Sequence, residues 1–245
     1  MFSLFKSKPV LKDLIPEGFI DIHSHVLYGL DDGAINLNDT IYLINSMKNF
    51  GFSKIITTPH TTPLVWENTK KGILEKLKTV YSEINELSES VSLQTASEYL
   101  MDESFLNRIE SEELLTLKDN LVLVEMSYIN PPMHLYDIIF KLVSKGYQPV
   151  LAHPERYNFY KNDFYSFNKL KRAGCLFQLN LLSTTGYYGE SIAKMSDHLL
   201  KEKMYDFVGS DIHHQKHIEG FDLKLKINEI KEFERVISNN VSYFK

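Results

Sequence analysis

The sequence predicts an α/β protein, a closed or nearly closed barrel of parallel strands covered by helices, and three observations carry that expectation. Short apolar runs alternate with longer amphipathic stretches seven times, which implies a parallel sheet with helical crossovers. All seven units fit into 245 residues without a linker, a low-complexity tract or an internal repeat. Histidines and carboxylates end one apolar run after another, as they do where strands converge on a single face of a barrel. An open doubly wound sheet is the competing architecture, but its ligands come from the few strands beside a switch point.

The elements follow in order. Residues 19–22 read as a short buried strand that runs into His23-Ser24-His25. Residues two apart on a strand share a face, so both imidazoles project together. Residues 28–33 form a loop with an Asp-Gly turn, after which Asn38 or Asp39 caps a helix that Gly51 closes. The second strand, 54–58, ends in Pro59-His60, and a charged helix spans 66–88. The third strand, 91–97, delivers Glu98; residues 102–118 form short helices or loop; the fourth strand, 121–124, delivers Glu125. A helix over 133–145 leads to the strand 148–152 and to His153-Pro154-Glu155-Arg156. A helix ending at Arg172 precedes the strand 175–179, which runs into Asn180. The helix 191–203 precedes the strand 205–209, which delivers Ser210-Asp211-Ile212-His213, and a helix over 223–238 finishes the chain.

Composition narrows the function. The net charge is −5 and no block of like charge stands out, which argues against a nucleic-acid groove. No run approaches the roughly 20 apolar residues of a membrane helix, and the first twelve residues do not read as a signal peptide. Residues 1–17 are expected to be an extension before a single domain over 18–245. Cys175, the only cysteine, lies in an apolar strand and reads as a buried thiol, so a reducing cytoplasm is the expected location.

The strand ends together supply His23, His25, Asp31, His60, Glu98, Glu125, His153, Asp211 and His213, five of the nine histidines in the chain. Each has an ordinary explanation alone, and the turn itself does not choose between Asp31 and Asp32. A carboxylate directly after an apolar strand must be paired, metal-bound or solvated. Imidazole and carboxylate donors without thiolate suit Mn, Fe or Zn. Nine donors exceed what one ion takes, so two or three ions are implied, an arrangement that activates water and neutralises a phosphoryl group. Arg156 beside such a site can grip phosphate oxygens.

At this point the motifs resemble a known superfamily. Asp21-Ile22-His23-Ser24-His25, Asp31-Asp32-Gly33, Thr58-Pro59-His60, Ala152-His153-Pro154-Glu155-Arg156-Tyr157 and Ser210-Asp211-Ile212-His213 are similar to those of the PHP (polymerase and histidinol phosphatase) superfamily. Within it, the Asp-Asp-Gly and His-Pro-Glu-Arg-Tyr segments, with Phe177-Gln178-Leu179-Asn180, resemble the bacterial tyrosine-protein phosphatases of capsule and exopolysaccharide operons. The resemblance implies a distorted seven-stranded (β/α)7, TIM-like barrel with three divalent metals, manganese first and iron or zinc as alternatives. It implies His23, His25, Glu98 and Asp211 on one ion, Asp31, His60 and His213 on a second, and Glu98, Glu125 and His153 on a third. It selects Asp31 over Asp32 and makes Arg156 the phosphate-binding arginine. The chain departs from the pattern after His213, where an arginine is expected; Lys216 or His217 is the candidate second cation.

The implied enzyme is a phosphoric monoester hydrolase that attacks phosphotyrosine with a metal-activated hydroxide. Its implied partner is a phosphotyrosine protein, a bacterial tyrosine autokinase. A phenol leaves with a pKa of about 10, so a strong general acid is optional. Tyr157, Tyr160, Tyr187 and Tyr188 are candidates for stacking on the substrate ring, with ordinary packing the expected role of any single one. No Cys-x5-Arg motif is present, so a thiol nucleophile is excluded. The alternatives are a phosphatase of a small phosphomonoester such as histidinol phosphate and a non-catalytic phosphotyrosine-binding regulator. A degenerate regulator should have lost ligands, and none is missing.

Overall fold

Parallel pairing organises the chain. The computed structural model describes residues 7–84, 91–161 and 163–245. Its strands are β1 (Phe19–Asp21), β2 (Phe52–Thr57), β3 (His60–Thr61), β4 (Ser92–Thr95), β5 (Glu98–Leu100), β6 (Leu121–Glu125), β7 (Gln148–Ala152), β8 (Leu176–Asn180) and β9 (Phe207–Gly209). They form a three-stranded sheet, β1-β2-β4, and a six-stranded sheet, β3-β5-β6-β7-β8-β9. Every strand pairing is parallel. The two sheets adjoin at both ends. Only Thr58 and Pro59 separate β2 from β3, and Pro59 has no N–H with which to continue a ladder. On the other side Ser24 bridges Ile212 in parallel.

Helices cover the sheets: α1 (Leu37–Asn49), α2 (Lys70–Glu83), α3 (Glu103–Ser111), α4 (Leu135–Ser144), α5 (Phe164–Arg172), α6 (Glu190–Lys201), α7 (Gln215–Gly220) and α8 (Ile230–Phe244). Strand β6 shows how the core is divided. Leu121 and Leu123 pack inward with Ile20, Ile56 and Val150, while Val122 and Val124 join the larger layer between strands and helices. Both faces are therefore buried, as expected of a parallel sheet under helices. Asn240 of α8 joins the first and last strands: its Oδ1 accepts from Val208 N–H at 3.0 Å and its Nδ2 donates to the carbonyls of Ile20 and Val208. No described helix is long and apolar enough to cross a membrane.

Several elements differ from expectation. The cap of α1 is Asn36, which shares a capping box with Asp39, rather than Asn38 or Asp39. Residues 85–88 of the expected second helix lie outside the described residues. Glu98 opens a separate strand instead of following one. The last helix starts at Ile230, because Leu225 and Ile227 are buried and alternate with Lys224 and Lys226, the period of extended chain. Of the N-terminal seventeen residues, the first six lie outside the described set. The rest pack down: Leu11 is buried, and its N–H and that of Lys12 donate to the carbonyls of Leu223 and Phe221.

Candidate metal centre

The C-terminal ends of β1, β6, β7 and β9 and the first residues of β3 and β5 meet around one cluster. After β1 the chain stays extended, and Asp211 N–H donates to the His23 carbonyl at 2.7 Å while His25 N–H donates to the Ile212 carbonyl at 2.8 Å. These bonds hold the His-x-His and Asp-x-His segments side by side. Asp21, fully buried, locks the same junction by accepting from the N–H and hydroxyl of Ser210 at 2.8 and 2.9 Å. Burial raises its pKa to about 6 against the pull of those bonds. Two glycines are required by contact: a Cβ on Gly209 would lie 2.6 Å from the His23 Cβ, and one on Gly33 2.1 Å from the His25 carbonyl oxygen. His153 and Asp211 both adopt left-handed backbone, at φ 34° and 52°, a costly conformation that clusters at functional sites.

The donor atoms converge. His23 Nε2 lies 3.1 Å from Glu98 Oε2 and 3.3 Å from Asp211 Oδ1; His25 Nε2 lies 3.4 and 3.5 Å from the same oxygens. His60 Nδ1 is 3.2 Å from Glu98 and 2.9 Å from Glu125, and His153 Nε2 is 3.3 Å from the other Glu98 oxygen. Two donors each about 2.1 Å from one ion, and about 90–110° apart, sit about 3.0–3.4 Å from one another. The donors form four overlapping groups: His25, Asp32, His60 and His213; His23, Glu98 and His153; His23, His25 and Asp211; and His60, Glu98 and Glu125. His25 Nε2, His60 Nδ1 and Glu98 Oε1 are buried without a hydrogen bond among the described residues. Buried polar atoms are almost always partnered, so these orphans fit divalent metal ligation.

One expected position is corrected. Asp31 does not face the cluster: its Oδ2 accepts from His25 Nδ1 at 2.7 Å and from His60 N–H at 2.9 Å, and its Oδ1 from Gly33 N–H at 3.0 Å. The tight turn into Gly33 points the next side chain inward instead. Asp32 Oδ1 lies 3.6 Å from His60 Nε2 and 3.5 Å from His213 Nε2, the place expected of Asp31. Neighbouring loop residues lack the fixed alternation of a strand, so spacing alone could not decide between them.

Residues behind the donors orient them, which sequence reasoning did not assign. His23 Nδ1–H donates to Gln178 Oε1 at 2.8 Å, leaving Nε2 as the donor atom. Asn180 Nδ2 donates to Asp211 Oδ2 at 2.9 Å. Gln178 and Asn180 are polar residues at buried positions in an apolar strand, and that was the available signal. Trp66 stacks on His60 with ring centres 4.9 Å apart, and Tyr128 on His153 at 5.7 Å.

Electrostatics express the same coupling. Burial alone would lower the pKa of His23, but Glu98 and Asp211 outweigh it and hold the pKa at about 9. His25 and His60 are also raised against burial, by Asp31 and by Glu98 first among their carboxylate partners. Burial opposes ionisation of Glu98 and Asp211, yet the histidines around them hold both well below the usual carboxylate range. His153, desolvated beside Arg156, falls to about 4. Without an ion the cluster holds protons where a cation fits.

Above the donors lies a pocket of about 210 Å³, below the roughly 300–1,000 Å³ of drug-sized sites and suited to a small anionic head group. Arg156 lines it, donating to Asp211 Oδ2 at 2.6 Å, with its guanidinium 4.1 Å from the Tyr188 ring centre and 5.0 Å from that of Tyr128. The expected second cation takes another form. Lys216 is exposed outside this pocket, whereas His217 lines it. Burial and nearby cations lower the His217 pKa to about 3, and its Nδ1 accepts from His213 N–H at 3.1 Å. His217 is therefore a neutral ring with Nε2–H free to donate. Of the four candidate tyrosines, for each of which packing is the expected role, Tyr188 lines the pocket. Tyr157 and Tyr160 are core residues and Tyr187 packs at its edge; Tyr128 was missed.

Fold and centre define the class: a parallel β/α protein with a buried imidazole–carboxylate cluster, suited to divalent metals, beneath an arginine-lined pocket. Residues 19–221 match the family model described as capsular polysaccharide synthesis, CpsB/CapC, and the chain belongs to that family. It is similar to the tyrosine-protein phosphatase YwqE of Bacillus subtilis, 27% identical over 198 residues that cover 80% of this chain and 78% of the relative. It is likewise similar to the tyrosine-protein phosphatase CpsB of Streptococcus pneumoniae, 26% identical over 200 residues, 79% and 82% of the two chains. The fold superposes with a TM-score of 0.77, at 25% identity and over 91% of this chain and 90% of the other, on a chain from the crystal structures of YwqE and CpsB, described as unique metal-dependent tyrosine phosphatases. A histidinol phosphate phosphatase from Lactococcus lactis shares the fold, at a TM-score of 0.53 and 12% identity over 92% of this chain and 94% of that one.

Proposed function

We propose that this chain is a metal-dependent protein-tyrosine phosphatase of capsule or exopolysaccharide synthesis whose substrate is a phosphorylated bacterial tyrosine kinase. The observation that carries the reading is a cluster of orphaned metal donors directly beneath a small pocket lined by Arg156. We read the two sheets as one distorted barrel of seven strand positions, with β2–β3 and β4–β5 each a broken strand, and residues 18–245 as its single domain. The donors divide among three divalent ions, with manganese the first choice and iron or zinc next. His23, His25, Glu98 and Asp211 serve one ion; Asp32, rather than Asp31, with His60 and His213 a second; Glu98, Glu125 and His153 a third. The single buried cysteine fits a cytoplasmic setting.

Divalent ions held by these donors supply Lewis-acid charge to the phosphoryl oxygens and lower the pKa of a coordinated water. The protein's own groups do the rest. Arg156, fixed by Asp211 and by two aromatic faces, presents its remaining N–H groups to the phosphate, where preorganised charge favours the transition state. His217 adds a neutral donor on the same wall. Tyr128 and Tyr188 flank the entrance, where an aryl group would lie. The phenolate leaves without strong protonation.

The deciding measurement is manganese-supported hydrolysis of a phosphotyrosine peptide by wild type and His60→Ala, with metal content in parallel. Turnover in the wild type, and loss of both metal and turnover in the variant, is the expected result. A wild type that binds metal but hydrolyses only small phosphomonoesters such as histidinol phosphate overturns the substrate assignment. Failure to bind manganese, iron or zinc overturns the centre.

A further inference from the structure

The pocket holds a head group only, so the chain on either side of a bound phosphotyrosine must lie beyond it, and on the side of β3 and β6 the surface beyond the pocket is apolar, whereas Asp32 and His214 mark a polar side. Two loops form this apolar rim. One leaves β3 just after His60 and carries Leu64, Val65 and Trp66; the other leaves β6 at Glu125 and carries Tyr128, Ile129 and Met133. Leu64 is 92% exposed, Val65 63%, Ile129 79% and Met133 93%, the last being the most exposed large apolar side chain among the described residues. Scattered exposed apolar residues need no explanation, whereas a concentration beside a pocket marks a binding surface.

The topology brings the loops together. Strands β3 and β6 lie on either side of β5, so their ends stand two strand spacings apart, roughly 10 Å. An extended peptide crosses that distance in about three residues. Each loop is fastened to the pocket wall by an aromatic ring, Trp66 on His60 and Tyr128 on His153, and Glu98 lies between those histidines. These two loops are thus continuous with one side of the pocket.

We propose that these two loops are the substrate-specificity surface, and that they select phosphotyrosine in an extended segment flanked by apolar residues rather than by acidic ones. The inference rests on the phosphatase reading for its substrate. Leu64, Val65, Ile129 and Met133 offer no cation to an acidic flank, and the chain as a whole carries a net charge of −5. Apolar neighbours one to three residues from the phosphotyrosine reach both loops. A small phosphomonoester touches neither, so the rim separates protein from metabolite substrates without altering the centre.

The test is binding of fluorescent peptides bearing a non-hydrolysable difluorophosphonate analogue of phosphotyrosine to the manganese-loaded protein. One peptide has Leu or Val on both sides, and its partner has Asp or Glu at the same places. The apolar peptide is expected to bind at least about tenfold tighter to wild type, and Leu64→Ser/Ile129→Ser/Met133→Ser is expected to remove that advantage while hydrolysing p-nitrophenyl phosphate as wild type does. All three sites are exposed, so the variant keeps its core. Equal affinities for the two peptides, or an advantage that survives in the triple variant, overturn the proposal. Wild-type sedimentation with phosphatidylglycerol vesicles that the variant loses, with equal peptide affinities, reassigns the loops to a lipid surface. Because binding is read without turnover, a protein with the peptide preference but no phosphatase activity refutes the proposed function and leaves the rim standing; an active enzyme without the preference does the reverse.

Discussion

The deep and outer halves of the centre are held in different ways. His23, His25 and Asp211 are buried, and each is gripped by a neighbouring group: Gln178 behind His23, Asp31 behind His25, and Asn180 together with Arg156, from the pocket side, on Asp211. The outer donors have looser support. Asp32 is exposed and His213 half-buried, its ring held by Nδ1–H to the Asp211 carbonyl of its own segment at 2.9 Å and by stacking on His25; His60 leans on Trp66. Groups locked by packing and hydrogen bonds keep their geometry before any ligand arrives. The deep half is therefore the permanent frame, and the outer half is where the centre meets what enters the pocket.

The largest effect should separate the halves outright. Glu98 lies within 3.1–3.4 Å of His23, His25, His60 and His153. Glu98→Gln removes the charge that two of the four donor groups share, and should strip metal and lower kcat/KM beyond the roughly 10²–10³-fold of losing one electrostatic stabiliser. Asp32→Asn should lose less metal, with the deep donors still loaded. Metal analysis beside steady-state kinetics reads both, and equal metal loss in the two variants would erase the distinction.

The next effect lies behind the donors. Gln178→Leu and Asp31→Asn each release a ring that the frame orients, and outer partners of this kind are worth about 10–100-fold in metal affinity. Competition with a chelator of known affinity measures it. Asp31→Asn also tests the corrected assignment. If Asp31 were a ligand, its loss would match Asp32→Asn in metal stoichiometry, whereas an orienting residue lowers affinity with the stoichiometry unchanged.

The halves were also unequally legible in the sequence. The deep half lies at strand ends, where period-2 geometry puts His23 beside His25 from spacing alone. Asp211, His213 and the run of strand-terminal donors were visible for the same reason. The outer half depends on a turn, and the choice between Asp31 and Asp32 needs backbone dihedrals that spacing does not carry. Gln178 and Asn180 did leave a trace, since buried amides in an apolar strand require partners. Trp66 and Tyr128 left none, because nothing local distinguishes a ring stacked on a ligand from one in the core. The alternation of Lys224, Leu225, Lys226 and Ile227 is readable as extended chain, which excludes a helix start at Leu223.

Acidity should shift the deep half by at least about tenfold per pH unit. In the metal-free protein His23 keeps its proton up to about pH 9, and with Nδ1–H donated to Gln178 the proton to be displaced sits on Nε2. An ion must remove it, and His25 on the same ion also has a raised pKa, so manganese affinity should fall by at least about a factor of ten for each unit below pH 9. Stability runs the other way. A raised histidine pKa stabilises the metal-free fold below the unfolded value near 6.5, and that contribution is lost as pH rises through about 9. The Tm of chelator-treated protein should therefore decline from pH 7 to 9 while the gap to the manganese-loaded Tm widens. A constant gap would mean that the ion displaces no proton from this histidine.

The smallest effect belongs to the outer wall. His217 presents a neutral Nε2–H where a second cation was expected, because its Nδ1 is occupied by His213 N–H and its surroundings keep it unprotonated. A neutral donor still bonds a phosphate oxygen, and a hydrogen bond to a charged group is worth about 1.5–3 kcal/mol. His217→Phe preserves the contacts with Tyr187 and Tyr188 but removes the donor, and with it the acceptor of His213 N–H, so KM for phosphotyrosine and Ki for inorganic phosphate, compared at equal metal content, should each rise about tenfold. His217→Arg reverses the comparison by supplying the missing charge, and should tighten phosphate inhibition. If His217→Phe leaves phosphate inhibition as it was, Arg156 alone grips the anion and the outer wall contributes shape rather than binding.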